Sequence, residues 1–108
     1  MITAYHKLVR DKVPQFIKKR GVKAVTKILN DEEFLYYLKL KLKEEAGELV
    51  MSDDVEKNTE EIADVLEILD YIIKIQKITP AKINKHKKLK KIERGGFDKR
   101  IFLVLTEE

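Results

Sequence analysis

The chain has no cysteine and no tryptophan, and only two prolines and four glycines. Without thiols there is no disulfide, no thiolate nucleophile and no thiolate metal site, so any bound metal must rest on oxygen or imidazole ligands. Only two histidines are present, His6 and His86, at opposite ends of the sequence. Their spacing makes no metal pair, and both read as surface residues. Also missing is any run approaching the ~18 consecutive apolar residues of a membrane span. The start Met1-Ile2-Thr3-Ala4 lacks the layout of a signal peptide. The expectation is a cytoplasmic protein with no membrane partner.

What is present is charge on a regular apolar pattern. With 44% hydrophobic and 39% charged residues the chain suits a soluble helical protein and not a disordered one. Its 108 residues allow one domain, spanning 1–108, with a single small core. The net charge of +4, from 23 basic and 19 acidic residues, describes a mixed surface and not a nucleic-acid-binding tail. Distribution matters more than the sum. Basic residues crowd Lys7 to Lys27 and Lys82 to Arg100, whereas Glu32 to Glu67 is acid-rich. An acidic middle between basic segments suits a cation carrying a polyphosphate.

Helix signals divide the chain into four segments. The first helix is expected to begin near Asp11 as cap, with Pro14 in its first turn, and to stop at Gly21. Val22 to Leu29 is β-branched and loosely alternating, and Ile101 to Leu105 is a short apolar run, so segments 22–29 and 101–105 could pair as a small β-ribbon. Asp31 is expected to cap a second helix running to about Met51, with a stripe of Leu35, Leu38, Leu42 and Leu49. After a turn at Ser52-Asp53-Asp54, a third helix is expected from Asn58 or Thr59 to Ile78. It is apolar around more than one face, which suggests burial on two sides and a homodimer or homotetramer. Thr79-Pro80 reads as a cap followed by a first-turn proline, so a fourth helix should run to Arg94 and end at Gly95-Gly96. The fold class is therefore all-α, a bundle of about four helices with an antiparallel central pair.

Chemistry concentrates on that pair. Glu45 and Glu48 are three apart on the second helix, with Glu44 in the same neighbourhood, and Glu61 and Asp64 repeat the spacing on the third. A short antiparallel connection would bring the end of one helix to the start of the next and assemble a four-carboxylate site. Glu45 is the most telling residue, because Leu38, Leu42, Glu45 and Leu49 form one stripe and a carboxylate fills an apolar slot. Burying an unpaired carboxylate costs several kcal/mol, on the order of a whole core contact, so this position asks for a cation or a strong partner. Hard divalent cations prefer oxygen ligands, and Mg²⁺ typically takes a few carboxylates, waters and substrate phosphate oxygens. Gly47, in a helix interior where glycine is worse than alanine by roughly 1 kcal/mol, fits either close approach to the backbone or simple tolerance. Ordinary surface pairing of these acids with Lys41, Lys43 and Lys57 is the competing reading.

The segments Lys43-Glu44-Glu45-Ala46-Gly47-Glu48 and Glu60-Glu61-Ile62-Ala63-Asp64-Val65-Leu66-Glu67 resemble the E-E-x-x-E and E-x-x-D motifs of the all-α nucleoside triphosphate pyrophosphohydrolases, a group that includes MazG proteins, phosphoribosyl-ATP pyrophosphohydrolase and dimeric dUTPases. The outer segments Tyr5 to Pro14 and Glu93 to Phe97 resemble the ends of a MazG-like, phosphoribosyl-ATP-pyrophosphohydrolase-like subgroup. The resemblance implies that Glu45, Glu48, Glu61 and Asp64 ligate Mg²⁺, or Mn²⁺ in its place, with Glu44 a further ligand or the group orienting the attacking water. It implies cleavage of a nucleoside triphosphate or related nucleotide between the α and β phosphates, and Lys7, Arg10, Lys12, Lys91 and Arg94 are candidates for phosphate contact. Tyr5, Phe34, Tyr36, Tyr37, Tyr71 and Phe97 read as core or interface groups, any of which could line a base pocket. Two other expectations compete: a phosphoribosyl-ATP pyrophosphohydrolase of histidine biosynthesis, and a non-enzymatic helical module whose lysine-rich fourth helix binds nucleic acid.

Overall fold

A computed structural model describes residues 1–108, which form four helices and no strand. The backbone clusters into two compact units, Met1–Lys77 and Ile78–Glu108.

The first unit is organised by a helical hairpin. Helix α2, Asp31–Met51, and helix α3, Val55–Ile75, pack against each other across the three-residue connection Ser52 to Asp54. Two contacts at opposite ends make the pair antiparallel. Phe34, at the start of α2, meets Tyr71, near the end of α3, edge to face at 6.4 Å between ring centres. Glu45 lies beside Glu61 at the other end. Leu38 and Ile68 are buried between them, with Leu35, Leu42, Leu49, Val65 and Ile72 half-buried around.

The helix starts are set by side-chain caps. Asn30, and not Asp31, caps α2: its side chain accepts from the Glu33 backbone N–H at 2.8 Å, and the Glu33 carboxylate accepts from the Asn30 N–H at 3.3 Å. This reciprocal box satisfies two N–H groups at once, which Asp31 one residue later would not. Asp54 caps α3, accepting from Lys57 N–H at 2.9 Å, so α3 starts several residues before the expected Asn58 or Thr59. It ends at Ile75, short of the expected Ile78.

Helix α1, Val13–Lys19, also departs from expectation at its start. Lys12, with no side-chain cap bond, occupies the cap position where Asp11 was expected, and Pro14 lies in the first turn. The chain reverses at Gly21, whose φ of +77° is open to glycine and costly for other residues.

In the second unit, helix α4, Pro80–Arg94, has the expected bounds: Thr79 accepts from Lys82 N–H, and Gly95 at φ +84° ends it. The expected ribbon does not form. Residues 22–29 and 101–105 contain no strand, and Val25, Ile28 and Ile101 to Leu105 are exposed. A strand is stable only with a partner ladder and a covered apolar face, and local β-propensity supplies neither.

Candidate metal centre

Near its closed end the hairpin gathers acids from both helices. Carboxylate oxygens of Glu44, Glu45 and Glu48 lie within 4.8 Å of one another, and so do those of Glu45, Glu61 and Asp64. Glu45 belongs to both groups. The three-residue spacings on α2 and α3 put each set on one helix face, and the short connection fixes the register between them. Glu45 and Glu61 are the buried members, each 7% exposed. Asp64 and Glu44 are half-buried and Glu48 is exposed. The slot that the apolar stripe assigned to Glu45 is thus a buried one, with Leu38 above it and Leu49 half-buried below.

Three cations reach this cluster. Lys41 Nζ lies 3.3 Å from Glu44 Oε2 and 3.6 Å from Glu45 Oε1, one turn back on the same helix. Lys7 Nζ donates to Glu44 Oε1 at 3.2 Å. The Arg10 guanidinium forks onto α3, Nη2 to Asp64 Oδ1 at 2.8 Å and Nη1 to Glu67 Oε2 at 3.2 Å. Against these stand six carboxylates: Glu44, Glu45, Glu48, Glu61, Asp64 and Glu67. Negative charge is in excess.

The acids titrate unequally as a result. Burial pushes the Glu45 carboxyl up to about 7, and hydrogen bonding to Glu61 and Glu48 together with their charge adds to the rise. Glu44 goes the other way. Partial burial acts to raise it, but the hydrogen bonds and charges of Lys7 and Lys41 outweigh that and hold it below the ordinary range. Arg10 is held more firmly protonated, chiefly by its hydrogen bond to Asp64, with desolvation opposing and Glu67 assisting.

Two buried oxygens have no partner within the chain, Glu61 Oε2 and Asn58 Oδ1. They stand three residues apart on one face of α3. A buried acceptor without a partner is costly, which suits a site meant for a cation or its water. An all-oxygen donor set, an orphaned carboxylate oxygen and surplus negative charge together make a group that could hold a metal ion.

The remaining phosphate-contact candidates are placed differently. Lys12 sits at the start of α1 and makes no ion pair, while Lys91 and Arg94 lie exposed in the last turn of α4, in the second unit. Residues that sequence reasoning did not single out as touching the site are Lys41 and Glu67. For Lys41 the signal was present, since it precedes Glu44 by three and Glu45 by four residues. Gly47 is exposed, and a Cβ there would meet nothing within 4 Å, so no part of the chain approaches that backbone closely.

Comparison of the chain with protein-family models, with curated proteins and with solved structures finds no match.

Proposed function

We propose that the protein is a Mg²⁺-dependent nucleoside triphosphate pyrophosphohydrolase that yields monophosphate and pyrophosphate, in a nucleotide house-cleaning role. The observation that carries the reading is the burial, at one point between two helices, of Glu45 and Glu61, the second with an unpartnered oxygen. The reaction itself is taken from the resemblance of the two acidic motifs and the outer segments to the pyrophosphohydrolases. Glu45, Glu48, Glu61 and Asp64 would hold the cation, with Mn²⁺ able to replace Mg²⁺. When bound, such an ion neutralises charge on phosphate oxygens and makes water more acidic.

The chain's own residues supply the rest. Glu44, held below the ordinary carboxylate range in the cation-free chain by Lys7 and Lys41 and paired with Lys41 on its own helix, is an acceptor suited to orienting a water for attack. Lys7 and Arg10 carry fixed positive charge to the rim of the cluster, where phosphate oxygens would lie. Self-association is part of the proposal. Ile62, Leu66, Leu69 and Ile73 form a second apolar stripe on α3, of which Ile62 and Leu66 are exposed, and a second copy of the chain would cover it.

The experiment is a nucleotide panel, phosphoribosyl-ATP included, assayed for pyrophosphate release with Mg²⁺ or Mn²⁺. Turnover is expected in the wild type and not in the Glu45→Gln, Glu48→Gln double variant. Turnover that survives in that variant, or a wild type inert on every nucleotide, would overturn the reading, and light scattering checks the assembly.

A further inference from the structure

The segment from Tyr5 to Lys12 crosses the acidic cluster as a strap with a cation at each side. Leu8 is its one half-buried residue. Lys7 reaches α2 through Glu44, and Arg10 reaches α3 through Asp64 and Glu67. These two side chains make no other hydrogen bond or ion pair, and both are solvent-accessible, with 42% of the Lys7 and 61% of the Arg10 side chain exposed. Such pairs hold weakly and exchange partners readily. Asp64, whose Oδ1 Arg10 grips at 2.8 Å, belongs to one of the two carboxylate clusters.

We infer that Lys7 and Arg10 are exchangeable counter-ions: they neutralise the carboxylates of the cation-free chain, and a divalent cation releases them to bind phosphate oxygens of the incoming substrate. The inference rests on the metal-centre reading above and adds an order of loading to it. A divalent ion among Glu45, Glu61 and Asp64 repels a guanidinium held against the same carboxylate and removes the surplus negative charge that keeps it there. The freed guanidinium presents a planar fork matched to phosphate, and the freed ammonium adds a point charge beside it. The same two side chains would thus serve the empty site and the loaded one. Metal would enter first and polyphosphate second.

The exchange makes opposite demands on one residue, which a purely structural strap would not. Mn²⁺ binding to the full-length chain is measured by calorimetry for wild type and Arg10→Gln, and then inorganic tripolyphosphate binding in excess Mn²⁺. Removing the competitor should tighten Mn²⁺ about 3- to 10-fold, in keeping with the strength of exposed pairs. Loss of the fork should weaken tripolyphosphate about 10-fold. Glu67→Gln removes one of the two anchors of Arg10 without touching the oxygen clusters, and should tighten Mn²⁺ about 2-fold, so the test survives if Arg10→Gln fails to fold. Mn²⁺ affinity that is unchanged or weaker in both variants overturns the exchange while leaving the metal centre standing. Tripolyphosphate affinity unaltered in Arg10→Gln overturns the phosphate half. A wild type that binds no Mn²⁺ removes the metal centre and the exchange together.

Discussion

Replacing Glu45 by glutamine should make the cation-free protein more stable, although it removes the centre of its acidic cluster. Glu45 is 7% exposed and its carboxyl is raised from 4.5 to about 7. Carried through linkage, that rise corresponds to about 3 kcal/mol which the folded chain loses when Glu45 is fully ionised. Glutamine keeps the shape and removes the charge. Two costs offset the gain. The Lys41 contact at 3.6 Å is worth ~0.5 kcal/mol, and an imperfectly bonded buried amide costs roughly 1–2 kcal/mol. A net stabilisation of about 1 kcal/mol remains, equivalent to ~4–8 °C in Tm for a domain of this size. The measurement is urea and thermal unfolding at pH 8 in EDTA. The sign of the pH dependence gives a second check. Between 4.5 and about 7 the folded chain binds more protons at Glu45 than the unfolded chain does. Its contribution is therefore favourable at the acid end and is lost as pH rises through that window. The variant should lack this slope. If Glu45 ligates the cation as proposed, added Mn²⁺ should reverse the ranking. A Glu45→Gln protein less stable than wild type at pH 8 in EDTA, or one with the same slope, would refute the reasoning.

Two further outcomes follow from the same hairpin. Gly47→Ala should stabilise the chain by roughly 0.5–1 kcal/mol, because a Cβ there meets nothing and alanine is the better helix former; urea denaturation measures it. Ile68→Ala should cost ~2–5 kcal/mol, seen as a large fall in urea midpoint, since Ile68 and Leu38 are the only buried apolar residues.

The features legible in the sequence were those decided locally. Thr79-Pro80 and Gly95-Gly96 bracket α4 because capping chemistry depends on a few adjacent residues. The acid spacings on α2 and α3 predicted shared faces because helical period is local too. Where two good caps stood side by side, as at Asn30 and Asp31, the choice went to the one whose partner Glu33 stood three residues on. Val55-Glu56-Lys57 carried no apolar period, so the first turn of α3 was invisible until the Asp54 cap was seen. The apolar runs at 22–29 and 101–105 misled because strand formation depends on a partner. The Arg10 contacts span 54 and 57 residues of chain, and nothing local announces them. The orphaned oxygens of Asn58 and Glu61 likewise depend on what lies opposite them.

The connection Ser52-Asp53-Asp54 has a consequence for how the gene can vary. It joins two helices whose acids meet in register, and Glu48 and Glu61 lie only a few residues from it in the chain. One codon gained or lost within α2 between Glu45 and Ser52 turns Glu45 by about 100° relative to the connection and carries it out of the hairpin seam. The coil from Val22 to Leu29 carries no such alignment and can lengthen or shorten at little cost. Length variation among natural versions of this chain should therefore collect in that coil and be rare within α2 between Glu45 and Ser52, where a single inserted residue would do more damage than most substitutions.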